Sequence, residues 1–372
     1  MKVACSLRHE CLPSGDALGT IAAGIMRAVS ATSSPVARAR AFFGSYCVDT
    51  LGLERVIFGA DNLDEPKRFF TDWGLQRVST TRSRVAFATR NGSQLQVWRD
   101  DAGGLAPRVG PDGQFREFVL AMKTQRDVDR VGDDIARDRA VEQQPDGRLR
   151  FQDDAGITLS VIVSTRGRVD PPKAQAFNQP GNRGRVNAIA NVHTQAAPWQ
   201  IGHIVFFVPD VNEAEAFYRK RLGFWLSDRY VGGAGVFLRW ARRSEHHNMF
   251  LLKSPHGRTA LHHLAFEVQS PHEVFGGGLA FSGKGWATQV GPGRHPISSA
   301  YFWYFRNPLG GAVEYYCDPD FVTEDWKPHH YRVNRFSEWH LTEGIPPPPA
   351  DPNRPSLAAA RSIEAARGER RS

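Results

Sequence analysis

Three residues in the second half of the chain have the atom types that bind a metal ion. His203 lies in Ile201-Gly-His-Ile-Val-Phe-Phe-Val208, His263 in Leu261-His-His-Leu-Ala-Phe-Glu-Val268, and Glu314 in Ala312-Val-Glu-Tyr-Tyr-Cys317. Two imidazoles and one carboxylate form a 2-His-1-carboxylate set, which holds Fe(II) and leaves coordination positions open for substrate and oxygen. A lone histidine in an apolar run is more often a packed core residue than a ligand. The case for a site therefore rests on the set and on the repeat around it.

Each of the three sits in a short run rich in β-branched and aromatic residues, the pattern of a strand. Side chains alternate along a strand, so one residue per strand can face a shared cavity while its neighbours pack the core. On that alternation His262 should face away from His263. The order of the runs repeats. Glu54 to Gly59 reads as a strand and Leu63 to Trp73 as a helix, followed by strands at Arg84 to Thr89 and Gln94 to Trp98. The same order begins again at Phe115, at Ile201 and, with a Gly-rich helix region from His272 to Lys284, at Leu261. Four β-α-β-β-β units are expected. Asn62-Leu-Asp-Glu-Pro-Lys-Arg-Phe-Phe70 aligns with Asp210-Val-Asn-Glu-Ala-Glu-Ala-Phe-Tyr218, and Phe151-Gln-Asp-Asp-Ala-Gly156 with Phe305-Arg-Asn-Pro-Leu-Gly310. In that register the N-terminal counterparts of His203, His263 and Glu314 are Arg55, Glu117 and Ser160. That set would not hold a metal, so one half is expected to carry the site and the other to be scaffold.

The remaining stretches separate these units. Residues 1–50 show no period and read as a flexible arm, and Met26 is an alternative start that N-terminal sequencing showing Met1 or Lys2 would reject. Residues 51–165 form the metal-free pair of units. Residues 166–198, rich in Pro, Gly, Asn and Gln, read as a linker. Residues 199–343 hold the site and an ordered extension that includes Trp326 to Tyr331 and Phe336 to Leu341. Residues 344–372 read as a disordered tail.

Composition narrows the class. Hydrophobic residues are 41% and charged residues 23%, ordinary for a globular chain. No apolar run approaches the ~20 residues needed to span a bilayer, and the start is a poor secretory signal. The cysteines, Cys5, Cys11, Cys47 and Cys317, are scattered, so no disulfide framework or zinc knuckle is supported and a cytoplasmic location is the default. The net charge of +8 is spread without a basic stripe, which argues against a nucleic-acid partner.

These residues resemble the type I extradiol ring-cleavage dioxygenases of the vicinal oxygen chelate superfamily, in particular the 2,3-dihydroxybiphenyl 1,2-dioxygenase group. The resemblance spans about residues 53–318 in architecture. It is sharpest at Gly293-Arg-His295, Tyr304-Phe-Arg-Asn-Pro308, Gly310 and Glu314, where His295 lies 19 positions and Tyr304 lies 10 positions before Glu314. A second match is Glu245-His-His247-Asn ahead of Leu261-His-His263-Leu. Trp303 and Ile297 depart from the family pattern.

The resemblance implies an α+β fold in which the four modules pair into two domains. Each domain is an open, incompletely closed mixed β-barrel with outer helices. It implies Fe(II), with Mn(II) accepted by the same ligands, held by His203, His263 and Glu314. It makes His247 the catalytic acid–base, with His295 and Tyr304 as hydrogen-bond donors. The partners implied are a small aromatic diol and O₂, with a homo-oligomer compatible. Trp240, Phe302 and Trp303 are expected to line a pocket for the ring.

Blander readings stand beside these: His246 and His247 as an exposed strand-end pair, and Tyr304 as a core aromatic. Three other functions remain open. A glyoxalase-like lyase or isomerase usually needs only two modules. A 4-hydroxyphenylpyruvate dioxygenase type would carry a C-terminal Phe/Glu-rich segment not found here. A bleomycin-resistance-type binder needs no ligand triad.

Overall fold

Runs of alternating or fully apolar residues become strands of two mixed sheets, and the amphipathic segments become helices outside them. The computed structural model describes residues 50–173, 176–342 and 344. The expectations for the N-terminal arm, the start at Met26, Cys5, Cys11, Cys47 and the C-terminal tail lie outside the described residues.

In the first half the elements are β1 (Thr50–Ala60), α1 (Asp64–Asp72), β2 (Gln76–Thr80), β3 (Arg84–Ala88), β4 (Gln94–Arg99), β5 (Phe115–Met122), α2 (Gln125–Ile135), β6 (Glu142–Gln143), β7 (Leu149–Gln152) and β8 (Thr158–Val163). A small hairpin, β9 (Asn178–Gln179) with β10 (Asn182–Arg183), lies in the connection.

The second half contains β11 (Gln200–Val208), α3 (Val211–Arg221), β12 (Trp225–Tyr230), β13 (Gly235–Arg239), β14 (Ser244–Glu245), β15 (Met249–Lys253), β16 (Ala260–Glu267), α4 (Pro271–Gly283), β17 (Thr288–Arg294), β18 (Tyr301–Arg306) and β19 (Ala312–Cys317). It continues with β20 (Phe321–Val322), β21 (His329–Tyr331) and β22 (Trp339–His340).

The two sheets repeat one topology. The first runs β2-β3-β4-β1-β5-β8-β7-β6, and the second runs β12-β13-β15-β11-β16-β19-β18-β17 with β21 and β22 added at its two edges. The fold is α+β with open mixed sheets. The irregularities repeat too. Ile57 pairs with Glu117 and Phe58 with Phe115, which leaves Arg116 as a bulge. Val205 pairs with His263 and Phe206 with Leu261, which leaves His262 as a bulge at the matching place. Val119 opposes Ser160 as Ala265 opposes Glu314. The correspondence of Glu117 with His263 and Ser160 with Glu314 is thus visible in the backbone pairing itself.

Where the second half gathers the candidate metal ligands, the first half gathers an ion network. Glu117 accepts from Arg148 Nε at 2.8 Å, from Arg150 Nε and Nη2 at 3.1 and 2.8 Å, and from Ser160 Oγ at 2.5 Å. Arg55 and Arg148 both reach Asp146, at 2.9 and 2.7 Å. Guanidinium groups fill the cavity and supply the positive charge that a metal would otherwise bring.

The halves share aromatic packing. Trp73 stacks on Tyr315 with ring centroids 3.5 Å apart, and the Tyr315 hydroxyl donates to the Trp73 carbonyl at 2.7 Å. The Gly-rich stretch of α4 allows close approach there. A Cβ on Gly278 would lie 2.2 Å from the Trp303 ring, and one on Gly277 2.7 Å from the Ala196 methyl. Trp303 is accommodated because its helix partner lacks a side chain.

One polar link between the halves carries a pH dependence. Asp153 accepts from the Tyr218 hydroxyl at 2.7 Å and from the backbone N–H of Ala155 and Ile157 at 2.9 and 2.8 Å. Burial pushes its carboxyl up to about 6, against the lowering effect of those hydrogen bonds. The folded state therefore holds this proton more tightly than the unfolded chain does. The resulting stability is fully present below the unfolded carboxyl range and is lost as pH rises through about 6. Asp153→Asn is expected to flatten the fall in Tm between pH 4 and pH 7, a contribution on the order of 2–3 kcal/mol. Calorimetry across that range tests it, and an equally steep profile in the variant would count against the assignment.

Candidate metal centre

Adjacent central strands deliver the three ligands. His203 projects from β11, His263 from β16 and Glu314 from β19, and each is at least nine-tenths buried. His203 Nε2 lies 3.1 Å from Glu314 Oε2, His263 Nε2 lies 3.3 Å from the same oxygen, and the two imidazole nitrogens are 3.3 Å apart. A divalent ion with bonds of about 2.1 Å sets ligands at right angles about 3 Å from one another. The three donors therefore fit one ion on one face, with the opposite face open to the cavity. Among the described residues this is the one cluster of His, Cys, Asp or Glu with such geometry.

The electrostatics suit ligation. Burial pushes the Glu314 carboxyl up, but the adjacent imidazoles of His203, His263 and His295 outweigh it and hold the group well below the usual carboxylate range. Burial holds the His263 imidazole below its ordinary value, which keeps a lone pair available.

The bulge at His262 explains a departure from the expected alternation. His262 does not face away from His263: its Nδ1 lies 2.7 Å from His263 Nδ1, because the bulge turns successive side chains to the same side. Burial pushes His262 down to about 3, so its neutral ring can accept the Nδ1 proton of His263 and fix that ligand's orientation.

The other expected site residues surround the triad. The His247 ring lies 4.5 Å from the His203 ring, centroid to centroid. Burial, with His203 and His246 adding to it, holds His247 well below its ordinary value and therefore neutral. The Tyr304 ring is 5.1 Å from the His263 ring, and its hydroxyl lies 3.1 Å from His295 Nε2. Burial and the nearby Glu314 keep the Tyr304 phenol protonated, so it can donate. The His295 Nδ1–H goes to the Phe336 carbonyl at 2.5 Å, which turns Nε2 toward Tyr304 and Glu314. His246 is not exposed as a strand-end pair would be. It is fully buried against Asp228 at 3.0 Å.

The cavity above the triad has a volume of about 170 Å³ and is lined by Tyr230, Phe237, Phe250, Ile297 and Phe336. The expected lining by Trp240, Phe302 and Trp303 is not found. Trp303 faces the opposite side of β18, against α4. Phe302 lies flat under His295 with centroids 4.1 Å apart, and Trp240 borders a separate cavity. The C-terminal extension supplies Asn334, Arg335 and Phe336 to the mouth. No motif in the sequence marks these as pocket residues, because their role depends on where the extension folds back.

Comparison with known proteins fits this architecture. The family model described as Glyoxalase/Bleomycin resistance protein/Dioxygenase superfamily matches residues 200–315. Biphenyl-2,3-diol 1,2-dioxygenase of Paraburkholderia xenovorans (strain LB400) is 33% identical over 237 residues, covering 61% of this chain and 68% of the relative. This chain belongs to the extradiol dioxygenase family. Metapyrocatechase 2 of Cupriavidus necator is 34% identical over 142 residues, 38% of this chain, and the match spans only 43% of that relative. The fold of this chain is similar to that of the Mn(II)-bound glyoxalase from Novosphingobium aromaticivorans. Its TM-score is 0.62 at 24% identity, covering 82% of this chain and 97% of the other. Among the described residues no helix is long and apolar enough to cross a membrane.

Proposed function

We propose that the protein cleaves a catechol-type ring beside its two hydroxyls, using O₂ and Fe(II) held by His203, His263 and Glu314, in the breakdown of aromatic compounds. The observation that carries this reading is the convergence of the three donor atoms within 3.1–3.3 Å of one another at the floor of an aromatic-lined cavity. Bound iron would supply Lewis acidity toward adjacent hydroxyls and electron exchange with dioxygen.

The chain's own residues do the rest. His247, kept neutral by burial, accepts a hydroxyl proton at its free ring nitrogen. Tyr304, and His295 when both its ring nitrogens carry protons, donate hydrogen bonds to the oxygen charge that develops on the substrate. Phe237, Phe250 and Ile297 bind the ring and exclude water from its faces. A small aromatic diol, a cytoplasmic setting and no nucleic-acid partner follow from the same reading. Mn(II) is the other candidate ion, since the same ligand set accepts it and the structurally similar glyoxalase is Mn(II)-bound.

The test is a panel of mono- and bicyclic catechols given to Fe(II)-loaded protein under air, with oxygen uptake and absorbance followed. A yellow ring-fission product that is absent in His263→Ala is the expected result. Silence across the panel with iron bound would point to an isomerase or lyase instead.

A further inference from the structure

A buried hydrogen-bond chain leads away from the site through residues that the proposed reaction does not use. His247 Nδ1 lies 3.2 Å from His246 Nδ1, and His246 Nε2 lies 3.0 Å from Asp228 Oδ2. His246 and Asp228 are 0% and 1% exposed. Asp228, on β12, is itself held by the C-terminal extension. Its Oδ1 accepts the His329 backbone N–H at 2.7 Å and the Trp326 indole N–H at 3.3 Å, and its Oδ2 lies 3.4 Å from the Tyr331 hydroxyl.

The proton positions along the chain follow from its end. An ionised carboxylate can only accept, so His246 carries its proton on Nε2. A neutral His246 then presents a lone pair at Nδ1, and His247 must donate from its own Nδ1. That leaves His247 Nε2 without a proton.

We propose that Asp228 and His246 are positioning residues that fix the tautomer of His247, so that Nε2 is the lone-pair nitrogen offered to the cavity. This rests on the reading of His247 as the proton acceptor. The logic is that of a buried carboxylate orienting a catalytic imidazole, extended by one ring. It gives the extension a task beyond packing, because three of its residues hold Asp228 in place.

Two variants test the chain. Asp228→Asn removes the obligate acceptor. His246→Gln keeps a donor for Asp228 but removes the acceptor opposite His247 Nδ1, and it serves if the first variant fails to fold. The tautomer is read from ¹⁵N-histidine spectra of the full chain loaded with diamagnetic Zn(II), with the His247 signals assigned by their loss in His247→Gln. Wild type should show His247 protonated at Nδ1, and each variant a shifted or mixed tautomer. In the Fe(II)-loaded protein, kcat should fall on the order of a hundredfold while KM and iron content hold.

A wild-type His247 protonated at Nε2 would overturn the proposal. So would variants that keep both the wild-type tautomer and kcat while wild type cleaves catechols. If wild type shows the Nδ1–H tautomer and the variants shift it, yet no catechol is cleaved, the positioning chain stands and the dioxygenase reading alone falls.

Discussion

Glu314→Gln is expected to leave the protein folded but without its metal, and to lower ring cleavage at least about a thousandfold, ~4 kcal/mol at the transition state. Glu314 is the anion of the triad, and its side chain is 1% exposed. With it ionised, a bound dication carries a net charge of one. With glutamine the full dication would sit among neutral imidazoles in a buried site, which water cannot compensate. The amide is nearly isosteric and can still accept a proton from His203 or His263, so the fold has no reason to fail. Iron per chain and oxygen uptake with a cleavable catechol are the measurements. Full iron occupancy with undiminished uptake would remove Glu314 from the ligand set and the proposed reaction with it.

Glu117→Gln should be the most destabilising single change in the first half. Its side chain is 1% exposed, and its partners Arg148 and Arg150 are 5% and 10% exposed, so the network is shielded from the screening that makes surface pairs weak. Removing the charge leaves two guanidinium groups buried with too few acceptors, at a cost of roughly 3–5 kcal/mol. For a chain of this size that corresponds to a fall in Tm on the order of 4–6 °C. Replacing Glu117, Arg148 and Arg150 together with apolar residues of similar volume should recover most of the loss, because a buried ion network adds little over good packing. Calorimetry decides it. An unchanged Tm in the single variant would show that water reaches the network.

Much of this arrangement was legible in the sequence because burial writes a strong pattern. β5 and β19 are buried along their whole length and read as largely apolar runs, broken by Arg116 and Glu117 in the first and by Glu314 in the second. The triad stood out because His203, His263 and Glu314 interrupt such runs with groups that are costly to bury alone. Other elements carried no such mark. β2, Gln76–Thr80, is exposed at every position and looks like a loop. β17 contains Gly291-Pro-Gly293, which suits an edge strand but spells a turn. His262 was misread because a bulge breaks the two-residue alternation on which a reading of faces depends, and it leaves no compositional trace. The Arg148–Glu117–Arg150 network was half visible: the lost ligands could be named, but what replaced them depended on which arginines the fold brought inward.

The strands β21 and β22 join opposite margins of the second sheet, β21 beside β12 and β22 beside β17. Both come from the stretch after residue 325, and the same stretch supplies partners of Asp228 and the carbonyl that orients His295. During synthesis the first half emerges from the ribosome before the second. The candidate metal pocket is complete only once residue 340 has emerged. A nascent chain stalled before that point would hold the three candidate ligands in an unfinished groove.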